Sequence, residues 1–448
     1  MSNASVSGRI VVTGELQLDS PLLIGDGMGE NSDNTRDIHV LKDQNGKPFI
    51  PGTSLCGVLR EYVEGTSPTM INQLFGFVKG NKSRQSAIAI DDIELDDGEL
   101  TFRDGVRIDS ATGTGVEGGK YDYEAVERGA HGWLRMSVTV RELHDRNAIT
   151  DAVARLIRKL ELGIRLGAMT SKGFGRVHVE NIAAGLYDFR NRSDVAAWLE
   201  QIDPVPARAS TPIVPSSDVH IESDDDLIVD AHFALSSSFI VRDYNRREQG
   251  EDKINAFSLK SRDDFVVPGT SLKGVLRHRA EYILNRLGVD VGVLDELMGM
   301  STKTEKLKSR FIVAESYVSA RSVTAVAQTR TRIDRFTGGV LQGGLFTTEP
   351  VWQSSDEPTL NIHFEIHDVK REAEVGLALA LLRDLWLGRL ALGGEKSIGR
   401  GTLSGRSARI EYKGRAYELD RDGKVVDGDV EEFARPTRSL KNYLREAN

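Results

Sequence analysis

The residues best suited to chemistry sit in short phrases of glycine, hydroxyls and isolated charges. Phe49 to Glu61 reads FIPGTSLCGVLRE, and Val266 to Leu284 reads VVPGTSLKGVLRHRAEYIL. Pro-Gly signals a turn, after which Thr53 or Ser54, like Thr270 or Ser271, can cap a helix. A helix start reached through glycine and hydroxyls is a place for an anion, because its first N–H groups lack helical partners. A capped helix with no ligand reads equally well from either copy alone. A second phrase, built on Gly167, Gly173 and Gly175 and again on Gly393, Gly399 and Gly401, lets backbone approach a ligand closely. No G-x4-G-K-[S/T] occurs, so neither is a nucleoside-triphosphate loop. Two kinds of backbone-donor loop, each present twice, point to a long repetitive polyanion. Carboxylates are the other candidates. Asp26 lies in IGDGMGE, a plain turn sequence, and Asp37 opens DIHVLKDQNGKPFIPG, where alone it reads as a turn or solvated acid.

The elements that position these phrases are themselves repeated. Pro51 and Pro268 are 217 residues apart, Val106 (VRIDSATGTGVEGGKYDYEAV) and Thr331 (TRIDRFTGGVLQGGLFTTEPV) 225, and Leu166 (LGAMTSKGFGRV) and Leu392 (LGGEKSIGRGTL) 226. Three phrases in one order at nearly constant spacing mark a duplication. The expected domains are residues 1–202 and 227–448, the latter with a polar, peripheral extension after Lys413; 203–226, rich in Pro, Ser and acids, are the linker. Period-two alternation places Leu134, Met136, Val138 and Val140 on one strand face, and Ile362, Phe364 and Ile366 on another. Helical spacing joins Val153, Leu156, Ile157 and Leu160; its counterpart EVGLALALLRDLWLG is more apolar and expected to be more buried. This is an α+β pattern, with helices on one face of a small antiparallel sheet.

Composition narrows the class. Charged residues are 28% and apolar ones 39% of 448 residues, an ordinary globular balance. No apolar run approaches a membrane span of about 20 residues, and MSNASVSGRIVV lacks the pattern of a secretion signal. A cytoplasmic protein is expected. The single Cys56 excludes an internal disulfide and a multi-cysteine zinc site. A net charge of −9 argues against a uniformly basic nucleic-acid binder and leaves room for a local basic groove.

These phrases together resemble the RAMP superfamily, and within it the backbone subunits of type III CRISPR effector complexes. The carriers are Leu22 to Glu61, the RIDxxTG phrases at Arg107 and Arg332, and the glycine-rich loops at Gly173 and Gly399. The resemblance spans nearly the whole chain in two copies. It implies two tandem ferredoxin-like or RRM-like domains, each with a hairpin insertion, or thumb, that wedges into a guide–target duplex. It implies guide CRISPR RNA, target single-stranded RNA and other CRISPR effector subunits as partners, with no membrane. Guide backbone is expected near Lys42, Ser54, Arg60, Lys172, Gly173 and Gly175 in the first half, and near Ser271, Lys273, Arg277, Lys396, Gly399 and Gly401 in the second. Cys56 stands where the second half has Lys273, so the two cradles are unequal.

The resemblance also implies chemistry. In target-cleaving members an Asp precedes the Lys-Asp, turn and Pro-Gly; Asp37 holds that place, followed by Lys42 and Asp43. A carboxylate there can accept the ribose 2′-hydroxyl proton or hold a divalent metal, Mg²⁺ being the natural candidate for oxygen ligands. Asp26 is a lesser catalytic candidate and His39 an accessory one. In the second half Asn255 stands opposite Asp37 and Asp243 opposite Asp26, with Asp252 the nearest substitute carboxylate. The leading expectation is an RNA-guided, metal-dependent endoribonuclease. The alternatives are a non-catalytic guide-RNA scaffold and a guide-processing endonuclease.

Overall fold

The computed structural model describes residues 5–27, 38–63, 68–109, 112–200, 209, 211–217, 225–243, 245–246, 254–301, 304–355 and 357–446. Asp37 and Asp252 lie outside the described residues. The chain divides into two compact units. One comprises 1–101, 124–170 and 174–221, the other 102–123, 171–173 and 222–448. The units are therefore interleaved in sequence rather than consecutive. Most of the first insertion hairpin, and part of the first glycine-rich loop, group with the second half.

The first half contributes β1 (Val6–Leu18), α1 (Gly52–Tyr62), β2 (Ile88–Ile90), the hairpin strands β3 (Leu100–Ile108) and β4 (Gly115–Val126), β5 (His131–Arg141), α2 (Arg146–Leu162), β6 (Lys172–Gly173) and β7 (Arg176–Asp188). Its sheet runs β7-β1-β5-β2, antiparallel throughout. Taken as a βαββαβ unit, that is strand order 4-1-3-2, the ferredoxin-like arrangement. Alternation in β5 turns Leu134, Met136, Val138 and Val140 inward, where they are at most 1% exposed. Val153, Leu156, Ile157 and Leu160 of α2 are equally buried. Each such side chain contributes roughly 1.5–3 kcal/mol on burial.

The second half repeats the plan with β8 (Leu227–Leu235), β9 (Arg242–Asp243), β10 (Ala256–Ser258), α3 (Gly269–Leu287), β11 (Phe311–Ala314), the hairpin strands β12 (Gln328–Ile333) and β13 (Val340–Glu349), β14 (Leu360–Ile366), α4 (Glu372–Trp386), β15 (Leu403–Tyr412) and α5 (Val430–Glu446). The sheet order β11-β14-β8-β15 is again 2-3-1-4, and β6 adds in parallel beside β11. Ile362, Phe364 and Ile366 are fully buried, and Phe364 stacks on Phe311 with ring centroids 5.4 Å apart.

Two expectations are corrected. The stretch after Lys413 is not merely peripheral. Residues Arg415–Leu419 and Val425–Asp427 extend the second sheet, and α5 lies on α4 so closely that a Cβ on Gly376 would come within 2.2 Å of the Pro436 carbonyl. This cover explains why α4 is buried along nearly its whole length. Within the expected linker, Thr211–Pro212 pairs with β7, and Asp226 is buried against His367.

Candidate nucleic-acid interface

The two helix starts are occupied by the protein itself. Neither α1 nor α3 has a side-chain cap: Pro51 and Pro268 hold the cap positions, so Thr53, Ser54, Thr270 and Ser271 do not play the expected capping role. The Gly52 N–H donates to Asp92 Oδ1 at 2.8 Å, and that carboxylate supplies the negative charge an N-terminus favours. At α3 a Cβ on Gly269 would fall 2.1 Å from the Lys172 carbonyl. Glu315, the counterpart of Asp92 in the repeat, is instead buried against Arg103 of the first hairpin, with Nη1 donating to Oε1 at 2.7 Å.

The charged residues of this phrase make hydrogen bonds within the protein. Arg60 Nη1 donates to the Gly76 carbonyl at 2.9 Å. Arg277 donates to the Gly299 carbonyl at 2.7 Å and to Asp295 at 2.5 Å. Both arginines fasten their helix to the end of the short helix that follows it, Pro68–Phe75 or Val293–Met298. Lys273 is 6% exposed, and its Nζ donates to Ser171 Oγ, Ser309 Oγ and the Phe311 carbonyl at 2.7–2.9 Å. Burial, with Lys172 and Arg277 nearby, pushes Lys273 down to about 7. Its Nζ is engaged by three acceptors inside the second unit.

The glycine-rich loops diverge. Gly175 and Gly401 have φ of 74° and 81°, and a Cβ on either would collide with the Leu166 or Leu392 carbonyl at 1.8–1.9 Å. These glycines permit a tight turn on the protein's own backbone, so ligand approach is not their reason. Lys172 and Gly173 form β6, paired with Val313 and Ala314, and burial lowers the Lys172 pKa. Their counterparts are open: Lys396, Ser397, Ile398 and Gly399 are exposed, and no atom lies within 4 Å of a Cβ built on Gly399.

In the first unit, the segment just after Asp37 is pinned to one acid. Glu124 on β4 is 5% exposed. It takes Lys42 Nζ at 3.2 Å and the Val40 N–H at 3.3 Å, and lies 3.4 Å from His39 Nδ1. Burial alone would raise the Glu124 pKa; the hydrogen bonds from Lys42 and Val40 outweigh it, and the net shift is downward. Lys42 is thus neutralised rather than free for phosphate. His39 Nε2 is buried with no hydrogen-bond partner among the described residues. Gly25 pairs with Val40 and the Asp26 N–H donates to the His39 carbonyl at 3.1 Å, so the backbone of Asp26 joins the segment that carries His39 and Lys42 to Glu124. Glu124 escaped notice in the sequence, although DYEAV and TTEPV place Glu124 and Glu349 at equivalent points of the repeat.

The second unit uses the equivalent residues differently. Asn255 exchanges two hydrogen bonds with Thr347, N–H to carbonyl and Oδ1 from N–H, both 2.7 Å. Its side chain is a bracket on β13. Asp243 Oδ1 accepts the N–H groups of Asn245 and Arg246.

The two hairpins end alike. Asp109 Oδ1 accepts Thr112 N–H and Oγ1–H at 2.7 and 3.0 Å. Asp334 Oδ1 accepts the N–H groups of Phe336 and Thr337 and the Thr337 hydroxyl at 2.8–3.1 Å. The RIDxxTG phrase is therefore a tip closed by its Asp and Thr. Val106 and Ile108 in one hairpin and Ile333, Val340 and Leu345 in the other are more than half exposed, and Phe336 is 98% exposed. Phe336 was not singled out in the sequence; an aromatic inside a turn phrase was the available signal.

The RAMP superfamily model matches residues 15–178 and 212–404, most of the chain and one copy per half. The chain belongs to the RAMP superfamily. That membership marks a CRISPR-associated RNA-binding subunit. No curated protein matches it. For this RAMP protein the ferredoxin-like strand order in both halves agrees with the family. Among the described residues no helix is long and apolar enough to cross a membrane, and no group of three or more His, Cys, Asp or Glu is arranged to hold a metal.

Proposed function

We propose that the chain is a double backbone subunit of a type III CRISPR effector complex, which binds guide RNA along both halves and cleaves target RNA beside its first half. The observation that carries this reading is the pair of projecting hairpins, with apolar flanks held on closed Asp-Thr tips. Such arms suit insertion between bases, where unstacking costs a few kcal/mol. The glycine-rich loops support assembly: Lys172–Gly173 is already a strand beside β11, whereas its counterpart at Lys396–Gly399 is exposed and left for a neighbouring subunit.

In this reading Asp37 takes the proton of the ribose 2′-hydroxyl at the distorted step. The 2′-oxygen attacks phosphorus and the 5′-oxygen departs, leaving a 2′,3′-cyclic phosphate and a 5′-hydroxyl. The departing oxygen takes its proton from water, and His39, with Nδ1 3.4 Å from Glu124, helps to fix the segment that follows Asp37 in sequence. Mg²⁺, when bound, would neutralise phosphate charge. Asp26 would be the candidate to assist it, since Glu124 is committed to Lys42 and Val40. Asn255 favours a second half that binds without cutting, unless Asp252 serves in its place.

Cleavage mapping in the assembled complex tests this. Asp37→Ala should abolish one cut and leave target binding nearly unchanged, and normal cutting at every site would refute the assignment. A second cut that disappears in Asp252→Ala would assign that residue to catalysis; a single cut unaffected by Asp252→Ala would leave the second half as a binder.

A further inference from the structure

Three guanidiniums converge on one carboxylate near the base of the second hairpin. Glu395 accepts Arg330 Nη2 at 2.6 Å and Arg242 Nη2 at 2.9 Å, and Arg400 Nε lies 2.8 Å from its second oxygen. The Glu395 side chain is 7% exposed and that of Arg400 4%, whereas Arg242 and Arg330 reach solvent at 38% and 26%. The other hydrogen bonds of these arginines go to neutral groups. Arg330 donates to Thr348 Oγ1, and Arg400 to Ser238 Oγ and Gln328 Oε1. Arg330 Nε is buried without a hydrogen-bond partner among the described residues. Asp243, which follows Arg242 on β9, is engaged by the N–H groups of residues 245 and 246. Among the described residues, the side chains that meet here bring three positive charges to one carboxylate.

That imbalance is unlike a structural ion pair, which gains most when its charges match and is costly to bury otherwise. Nor is it a property of the repeat. In the first half the counterparts of Glu395, Arg400, Arg330 and Arg242 are Met169, Phe174, Gly105 and Gly25. Met169 and Glu395 share the left-handed backbone, with φ of 58° and 57°, so the turn is common to both halves and only the second has acquired the charges. Guanidiniums gathered by a carboxylate are already spaced for a second oxyanion. Next to them, the hairpin carries Arg332 and Arg335 toward its exposed Phe336.

We infer that Arg242 and Arg330 form a phosphodiester-binding site for single-stranded RNA, unique to the second half, with Glu395 as the built-in anion that competes for it. This rests on the RNA-binding reading of the chain and adds Arg242 and Arg330, which lie outside the helix starts and glycine-rich loops in sequence.

The test is equilibrium binding of the full chain to two fluorescein-labelled single-stranded RNAs of unrelated sequence, at salt from about 50 to about 200 mM. Arg242→Ala should weaken both RNAs alike and flatten the dependence of log affinity on log salt by about 0.7, one phosphate of a single strand. Glu395→Gln keeps an acceptor and removes the competing charge, so it should tighten both RNAs on the order of three- to ten-fold at the lowest salt. Wild type that binds while both variants match it, or Glu395→Gln that weakens binding, overturns the site and leaves the RNA-binding reading standing. Wild type that binds neither RNA at the lowest salt overturns both. If circular dichroism shows Glu395→Gln unfolded, Arg242→Ala decides together with Arg242→Lys, which should retain the salt slope.

Discussion

On the sheet of the second unit, acids and histidines alternate in a line: Asp230, His363, Glu365, His367, Asp226. His363 Nδ1 meets Asp230 at 2.8 Å and its Nε2 meets Glu365 at 2.6 Å. His367 Nδ1 meets Asp226 at 2.9 Å and its Nε2 meets the other Glu365 oxygen at 2.9 Å. Both ring nitrogens of each histidine face a carboxylate, which suits only the doubly protonated ring. For His363 burial works against the charge, but the bonds to Asp230 and Glu365 outweigh it and hold the pKa at about 9. For His367 the bonds to Asp226 and Glu365 outweigh burial and give the same value, about 9. A histidine raised in the folded state contributes stability that is complete below its unfolded value, about 6.5, and is lost as pH climbs through about 9. At roughly 1.4 kcal/mol per pH unit, the ceiling is about 3 kcal/mol for each ring. Sharing Glu365 prevents the two from adding, and His367 is 32% exposed, so solvent screening discounts its share. About 3 kcal/mol for the pair is the working figure.

Measuring it requires a probe confined to the second unit, because a two-unit chain need not unfold in one step. Replacing Trp133 and Trp198 by Phe leaves Trp352 and Trp386, both in that unit. Urea unfolding followed by their fluorescence, from pH 6 to pH 9.5, then compares this background with one also carrying His363→Asn and His367→Asn. The stability gap should be widest at pH 6 and shrink by about 3 kcal/mol by pH 9.5. Lys273, with its pKa lowered to about 7, acts in the opposite sense, relieving a penalty as pH rises from about 7 toward 10.5, and it cancels because both chains carry it. A gap constant across the range would show that the histidines are not held protonated, and the reasoning would fail.

Other outcomes follow from the same geometry. Lys273→Met should lower the melting temperature of the second unit by several degrees while leaving RNA affinity within about two-fold, since its Nζ is spent on Ser171, Ser309 and Phe311; a selective loss of RNA binding would reinstate it as a phosphate contact. Glu315→Gln should destabilise the second unit by about 3 kcal/mol in urea unfolding, because it strips the charge facing buried Arg103; an unchanged midpoint would deny the pair that role. Phe336→Ala should leave folding intact and weaken single-stranded RNA binding by about 1–3 kcal/mol if its ring stacks on a base; unchanged anisotropy titrations would remove it from the interface.

Much of the architecture was legible because it rests on periodicity. The alternating residues of β5 and β14 and the stripe of α2 bury as their spacing requires, and three phrases at near-constant offset announced the duplication. The direction of individual charges was not legible. Lys42, Arg60, Lys273 and Arg277 occur in glycine- and hydroxyl-rich turns, the setting of a phosphate site, yet each is held by a partner that is distant in sequence or belongs to another phrase: Glu124, Gly76, Ser309, Asp295. The interleaving of the units was hidden for the same reason. No local pattern tells Lys172–Gly173 to become a strand beside Val313–Ala314, while nearly the same phrase at Lys396–Gly399 stays exposed.

That difference bears on why the duplication persists with unequal copies. A repeat joined head to tail satisfies each junction once and leaves one surface open at its end. Here the used copy of the glycine-rich loop is β6, and the open copy is Lys396–Gly399. Once a surface is committed internally, selection on it is for packing, and it loses ligand-facing charge: the first half has Met169, Phe174 and Gly105 where the second has Glu395, Arg400 and Arg330. The reverse holds near the proposed chemistry. The first half keeps His39, whose Nε2 has no hydrogen-bond partner among the described residues, two positions after Asp37 in sequence, whereas the second spends Asn255 on bracketing Thr347. Under the proposed function the two halves divide the work, the first supplying Asp37 for cleavage and the second a phosphate site. Restoring an acid at position 255 would not by itself restore cutting, because the Thr347 N–H would claim the new carboxylate.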